Sequence, residues 1–156
     1  MKKEEQEFVE DDEILEMFYG KEQGKQIYTS YYARNGGHEN AVSISASAPD
    51  YFKGKHIKML APTWEILDAY KSGEIDQLEY TKRYLKLLKQ RGLTPETIYN
   101  SIPHGTILLC YEKVGDFCHR RVLAEWLELN LSVKIPEWKT EEERKKSATL
   151  DSFLKF

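Results

Sequence analysis

The sequence predicts an α/β fold: a single Rossmann-like domain with a mostly parallel sheet flanked by helices. Three observations carry that expectation. Short runs rich in Ile, Val, Thr and Tyr alternate along the chain with amphipathic runs of helical period. The run "GTILLCYE" (105–112) holds an unbroken apolar stretch, as in a strand covered on both faces. The run "IDQLEYTKRYLKLLKQRG" (75–92) is too long for a strand and carries helix signals at both ends.

The first elements follow in order. Residues 1–24 form an acidic arm that includes "MKKEEQEFVEDDE". "KQIYTSYYA" (25–33) has the β-branched and aromatic content of a strand, and Gly36 and Gly37 mark "RNGGH" (34–38) as a loop. "AVSISAS" (41–47) alternates, with Val42 and Ile44 on one side and Ser43, Ser45 and Ser47 on the other, read as the solvent side. "HIKMLAP" (56–62) reads as a short strand, and Pro62 is placed to open the helix "PTWEILDAYKSG" at its first position.

In the helix 75–92, Leu78, Leu85 and Leu88 share a face. Asp76 with Glu79 forms a capping box, and Lys89, Arg91 and Gly92 close the end. "TPETIYNSI" (94–102) is a short helix. "CHRRVLAEWLELN" (118–130) is a helix that buries Val122, Leu123, Trp126 and Leu127. The α/β domain therefore spans 25–138, and 139–156 is a charged linker with a C-terminal peptide.

Composition narrows the function classes. With 156 residues, 40% hydrophobic and 31% charged, the chain can bury one core and is not a disordered protein. A net charge of −3 excludes a domain that coats phosphate backbones indiscriminately, though not a local basic site. No apolar run approaches the roughly 20 residues of a spanning helix, and the start lacks the apolar core of a signal peptide. A cytoplasmic protein without membrane contact is expected. In that compartment Cys110 and Cys118 are read as thiols rather than a disulfide.

"CYEKVGDFCHRR" (110–121) concentrates the chemistry: both cysteines, a histidine and an Arg–Arg pair around one loop. Ligands of open α/β sheets bind at the carboxyl ends of strands, beside the following helix N-termini. Asp116 as N-cap would put Cys118, His119 and Arg120 in the first helical turn. Arg120 and Arg121 then begin the helix while Glu125 and Glu128 lie toward its end, opposite to what the macrodipole favours. Each misplaced charge costs a few tenths to about 1 kcal/mol. A phosphate, a carboxylate ligand or a thiolate at Cys118 would offset that cost. In this reading Arg120 and Arg121 hold an anion such as a nucleotide, Cys118 or His119 supplies nucleophile or proton chemistry, and Glu112 orients or acts as a base. The bland alternative pairs Arg121 with Glu125, leaves Arg120 in solvent and makes both cysteines core residues.

Other chemistries find less support. Cys110, Cys118 and His119 are zinc ligand types, but there is no CxxC or HxxxH, and adjacent helical residues rarely face one point. No metal and no cofactor is expected. There is no GxGxxG and no GxxxxGK[ST]. The serines at 43, 45 and 47 have no partnered His or Asp, so a serine nucleophile is not expected. Most tyrosines and tryptophans are expected to pack in the core. His38, in "NGGHEN", is a candidate to reach the same sheet edge.

The stretch "LLCYEKVGDFCHRRVLAEWL" (108–127) resembles the signature of the domain of unknown function 488 family: an apolar strand ending in C-x-E, a short loop, then C-H-R opening a helix. The match runs through Cys110, Glu112, Cys118, His119 and Arg120. "IYTSYYA", "SIS", "LAPTWEILDAYKSGEID" and "EYTKRYLKLL" extend the likeness over 26–130. The resemblance implies a small Rossmann-like domain with no settled activity. By similarity it adds Tyr28, Thr29 and Ser30, with Cys110, to the ligand-binding positions.

After the charged "KTEEERKK" comes "SATLDSFLKF". The spacing Leu150–x–x–Phe153–Leu154 resembles the PIP box, the peptide that docks on the sliding clamp of replication as a short helix in a groove. The tail departs from it at Ser147, where the motif has Gln, and at Leu154, where it has a second aromatic. The resemblance implies recruitment to a clamp through 147–156 and work near replicating or repaired DNA, acting on nucleotides or nucleic-acid bases. The alternatives are a tail folded back to bury Leu150, Phe153 and Phe156, and a non-enzymatic ligand-sensing or adaptor module with no clamp binding.

Overall fold

The structure, a computed structural model, describes residues 24–146. Four strands make one sheet: β1 (Tyr28–Tyr31), β2 (Ala41–Ser43), β3 (Lys55–His56) and β4 (Ile107–Cys110). Their order is β1-β4-β2-β3 and every pair is parallel. Helices α1 (Tyr32–Asn35), α2 (Trp64–Lys71), α3 (Gln77–Gln90), α4 (Pro95–Ser101) and α5 (His119–Leu131) flank it. This is the Rossmann-like α/β arrangement that the alternation of patterns predicts.

The continuous apolar run becomes β4, and its central place explains its composition. Ile107, Leu108, Leu109 and Cys110 are all buried. Leu108 belongs to the larger core with α3 and α5, whereas Ile107 and Leu109 pack with Tyr32 and Ala41 on the other face. Two apolar faces need an apolar residue at every position.

The sequence misleads at several points. β2 ends at Ser43, and Ser43 and Ser45 are buried rather than facing solvent. The Tyr32 hydroxyl lies 2.5 Å from each of their Oγ atoms. A buried phenol needs polar partners, and the small serines supply them. Only Lys55–His56 of the expected third strand pairs; Lys58–Leu60 is a 3-10 turn. Pro62 does not open α2: Thr63 is the N-cap, and its Oγ1 accepts from the Ile66 amide at 3.3 Å.

Asp76 does cap α3, accepting from the Glu79 amide at 2.8 Å, and Gly92 closes it with φ 78. Its buried face, however, is Tyr80, Tyr84 and Leu88, while Leu78 is exposed. The 80–84–88 stripe places one residue per turn toward α5 and satisfies the Tyr84 hydroxyl, which donates to the Leu60 carbonyl at 2.6 Å. In α4 Thr94 and Thr97 form a reciprocal capping box. Thr94→Ala should lower stability by about 1 kcal/mol, read as a lower midpoint in urea with an unchanged slope.

After α5 the chain returns along the free edge of β1. The Thr29 amide donates to the Pro136 carbonyl at 3.0 Å and the Trp138 amide donates to Thr29 at 2.8 Å, so Glu137 bridges Thr29 in parallel. Among the described residues no helix is long and apolar enough to cross a membrane. The acidic arm up to residue 23 and the clamp-like peptide 147–156, with Leu150, Phe153 and Leu154, lie outside the described residues.

Candidate functional site

Parallel pairing puts the carboxyl ends of all strands on one edge, marked by Tyr31, Ser43 and Cys110. Above it the loop after β4 leads into α5. Asp116 is not the cap. Cys118 is, in an extended conformation (φ −158, ψ 146), and its Sγ accepts from the Arg120 amide at 3.4 Å. His119 is therefore the first helical residue and Cys118 lies outside the helix. That difference removes the objection that adjacent helical residues diverge. The sulfurs of Cys110 and Cys118 and a ring nitrogen of His119 lie within 4.8 Å of one another, all buried.

The cysteines, expected as two thiols, are joined as a disulfide with S–S 2.10 Å. The loop 111–117 returns the helix cap onto the strand end from which it left, and this brings the sulfurs into bonding contact.

Arg120 is fully buried. Its Nη1 donates to Cys110 Sγ at 2.9 Å, more distantly to Cys118 Sγ at 3.6 Å, and to the Glu112 carbonyl. Its Nε and Nη2 both donate to Glu137 Oε1, at 3.1 and 2.9 Å. Arg121 Nη1 donates to the Ile135 carbonyl at 2.7 Å and to Thr29 Oγ1 at 2.9 Å, and its Nη2 lies 3.9 Å from Glu128. Both guanidinium groups are thus matched by carboxylates of the same chain. The reversed charge order of α5 is offset internally, chiefly by Glu137, and this corrects the expectation of a vacant cationic pair awaiting a ligand. The bland alternative holds only for the cysteines, which are both buried in the core; Arg120 is not in solvent, and Arg121 pairs with Glu128 rather than Glu125.

His119 Nε2 lies 2.7 Å from the Ile44 carbonyl, which can only accept, so Nε2 carries the hydrogen and Nδ1 is left with its lone pair. Burial, with the Arg120 charge adding to it, pulls the imidazole down to about 4, so the ring is neutral at neutral pH. The Tyr84 ring packs on it edge-on at 5.6 Å.

The remaining candidates divide. Thr29 belongs to the cluster, since its hydroxyl donates to Glu137 Oε2 at 3.0 Å. Glu112 is half-buried and meets Arg120 through its carbonyl rather than its carboxylate. Ser30 is buried and donates to Asn35 Oδ1 at 2.5 Å, a structural bond within α1 and β1. Tyr28 packs on the smaller core near Trp138, on the other face. His38 precedes β2, so it sits at the entering edge of the sheet, where Asn40 N donates to its Nδ1 at 3.0 Å. A cleft of about 510 Å³ opens at that edge too, beside Asn40, Lys53, Lys55, His104 and Thr106. Cleft and sulfur cluster occupy opposite ends of the strands.

Sequence reasoning missed Glu137 and Tyr31. Tyr31 covers the Arg120 guanidinium at 5.9 Å from its ring centre. Glu137 had a signal: it is the lone acid in the apolar "KIPEW" that follows a helix opening with two arginines.

The arrangement suits sulfur chemistry. A guanidinium beside a sulfur favours its anionic form, and a helix N-terminus adds to the effect. Compared with known proteins, the chain matches a family profile described as DUF488-N3a, active DUF488-N3 subclade, over residues 19–131. No curated protein and no solved structure matches it.

Proposed function

Because the chain belongs to the DUF488 family, through a match over most of its length, we propose that it is a thiol-dependent enzyme. Its reaction centre is the sulfur pair at the carboxyl edge of β1 and β4. The observation that carries this reading is the buried Arg120 guanidinium, in contact with both sulfurs. Of the two, Cys110 is the nucleophile: Arg120 approaches its Sγ at 2.9 Å, against 3.6 Å for Cys118. Cys118 is the partner that closes the disulfide when the centre is oxidised. Arg120 stabilises the thiolate that attacks or departs. His119 is neutral and anchored, so it orients rather than shuttles a proton through Nε2. The matched description, which calls the subclade active, supports an enzyme.

A nucleotide or nucleic-acid base is the substrate class to test first. With Arg120 and Arg121 already paired, an anionic group would have to displace Glu137 to reach Arg120 or Glu128 to reach Arg121. Recognition then falls on the uncharged part of the substrate, and Tyr31 and the half-exposed Tyr111 offer faces for it.

Alkylation of the reduced, metal-free protein tests the reading. Iodoacetamide should modify Cys110 faster than Cys118, and faster than global unfolding allows, with a rate about tenfold lower in Arg120→Lys. Modification of both thiols only at the rate of unfolding would sink the enzyme. That result would leave a ligand-sensing module with a structural disulfide, the reading favoured by the burial of both sulfurs.

Recruitment to a sliding clamp rests on the Leu150–Phe153–Leu154 spacing. A peptide of residues 145–156 should bind a clamp saturably, and Phe153→Ala should abolish binding. Identical titrations for the two peptides would remove the clamp from the account.

A further inference from the structure

We propose that the reduced form of this centre is a zinc site built from Cys110 Sγ, Cys118 Sγ and His119 Nδ1, and that zinc and the disulfide exclude each other. The inference rests on the reading above only in treating the two sulfurs as a dithiol centre.

Geometry, the hydrogen-bond partners of the three ligands and charge agree on it. Two thiolates and an imidazole are ligands that zinc takes readily, at about 2.3 Å for sulfur and 2.0–2.1 Å for nitrogen. Here the three ligand atoms fall within 4.8 Å of one another in a buried place. Zinc-bound sulfurs stand about 3.8 Å apart in tetrahedral geometry. The Cα atoms of the pair are 7.5 Å apart, so the sulfurs can part by side-chain rotation.

Histidine ligands nearly always donate their other N–H to a carbonyl or carboxylate, which fixes the ring and the tautomer. His119 does so already, with Nε2 on the Ile44 carbonyl at 2.7 Å and Nδ1 left to coordinate. The sulfurs have outer partners as well: Arg120 Nη1 on Cys110 and the Arg120 amide on Cys118.

Charge decides between the filled and the ion-free dithiolate. Two buried thiolates beside a guanidinium already paired with Glu137 would leave two uncompensated negative charges, which burial penalises. Zinc brings that sum to zero and leaves the Arg120–Glu137 pair intact. No fourth Cys, His, Asp or Glu joins the cluster among the described residues. The fourth position therefore goes to water or substrate, as in a catalytic rather than a closed structural site.

A dithiol reductant gives two electrons and two protons to the S–S bond and closes its own disulfide, leaving two thiols. The ion then displaces both protons.

Full-length protein, reduced with a phosphine and stripped with a chelator, is titrated with cobalt(II) and then zinc(II). One cobalt per chain should bind with a sulfur-to-cobalt charge-transfer band and a tetrahedral visible spectrum, and zinc should bleach both. His119→Gln should weaken binding at least tenfold. The same protein oxidised with diamide should take up no ion; this arm needs no variant, so it stands even if substitutions unfold the chain. Reduced protein without the charge-transfer band, or oxidised protein that binds equally well, overturns the site. Such a failure leaves the ion-free alkylation rates untouched, so the zinc site and the thiol enzyme are judged separately.

Discussion

Arg120→Ala is expected to destabilise the protein by about 3–5 kcal/mol, a large share of the roughly 5–15 kcal/mol that holds a domain of this size. The side chain is fully buried and its partner Glu137 is 17% exposed. Removing the guanidinium strands a carboxylate that, among the described residues, keeps the Thr29 hydroxyl as its side-chain partner. It also strips the Glu112 carbonyl of its donor and opens a cavity beneath Tyr31. The loss comes mainly from the orphaned charge, so removing both charges should restore most of it. Arg120→Met with Glu137→Met should recover more than half of the stability lost in Arg120→Ala. Urea denaturation of the wild type, Arg120→Ala and the double variant measures this. A cost below about 1 kcal/mol for Arg120→Ala would mean that water reaches the pair, and the packed-cluster account would fall.

The second large effect is alkaline. Burial raises Tyr80 and Tyr84 above their ordinary value, Tyr84 well above it. Glu112 and Tyr70 push Tyr80 further, and Tyr80 pushes Tyr84. Folding thus holds both phenols neutral. Below the unfolded value near 10 this has no effect on stability. Above it the unfolded chain ionises while the native state does not, so stability falls by about 1.4 kcal/mol per pH unit for each tyrosine. The loss continues until the pH reaches the native value. Together the two should make the protein lose nearly 3 kcal/mol per unit once pH exceeds 10.

Tyr84→Phe separates this from general alkaline damage. At pH 8 the variant should be less stable by about 1–3 kcal/mol, because the Leu60 carbonyl loses its donor. By pH 11 the gap should have closed or reversed. Parallel decline of both midpoints would show that Tyr84 ionisation is not linked to unfolding.

How far the sequence reveals these features depends on whether the cause is local. The cap at Asp76 was legible because a cap contacts residues two or three positions away. The identity of β4 as the covered strand was legible in its unbroken apolar run. The core face of α3 was not: Leu78 and Tyr80 are equally apolar by pattern, and only the approach of α5 and Leu60 chooses the tyrosines. The position of the cluster was legible, since five of its residues share one strand–loop–helix unit. Its electrostatics were not. The anion that answers Arg120 comes from Glu137, and the bridge that puts it there is a pairing to β1 across most of the chain. Nor could the extended backbone of Cys118 be read from its neighbours, yet it alone lets Cys118 and His119 converge.

The place of β4 between β1 and β2 bears on how the protein is made. A ribosome delivers β1 and β2 early, but the strand that joins them emerges only after three further helices, α2 to α4, have been synthesised. Until then β1 has no neighbour to pair with and β2 has only two residues of β3. Nascent chains stalled short of Ile107 should therefore display two adhesive edges, bind chaperones strongly and resist release, and that engagement should end abruptly once Cys110 has cleared the exit tunnel.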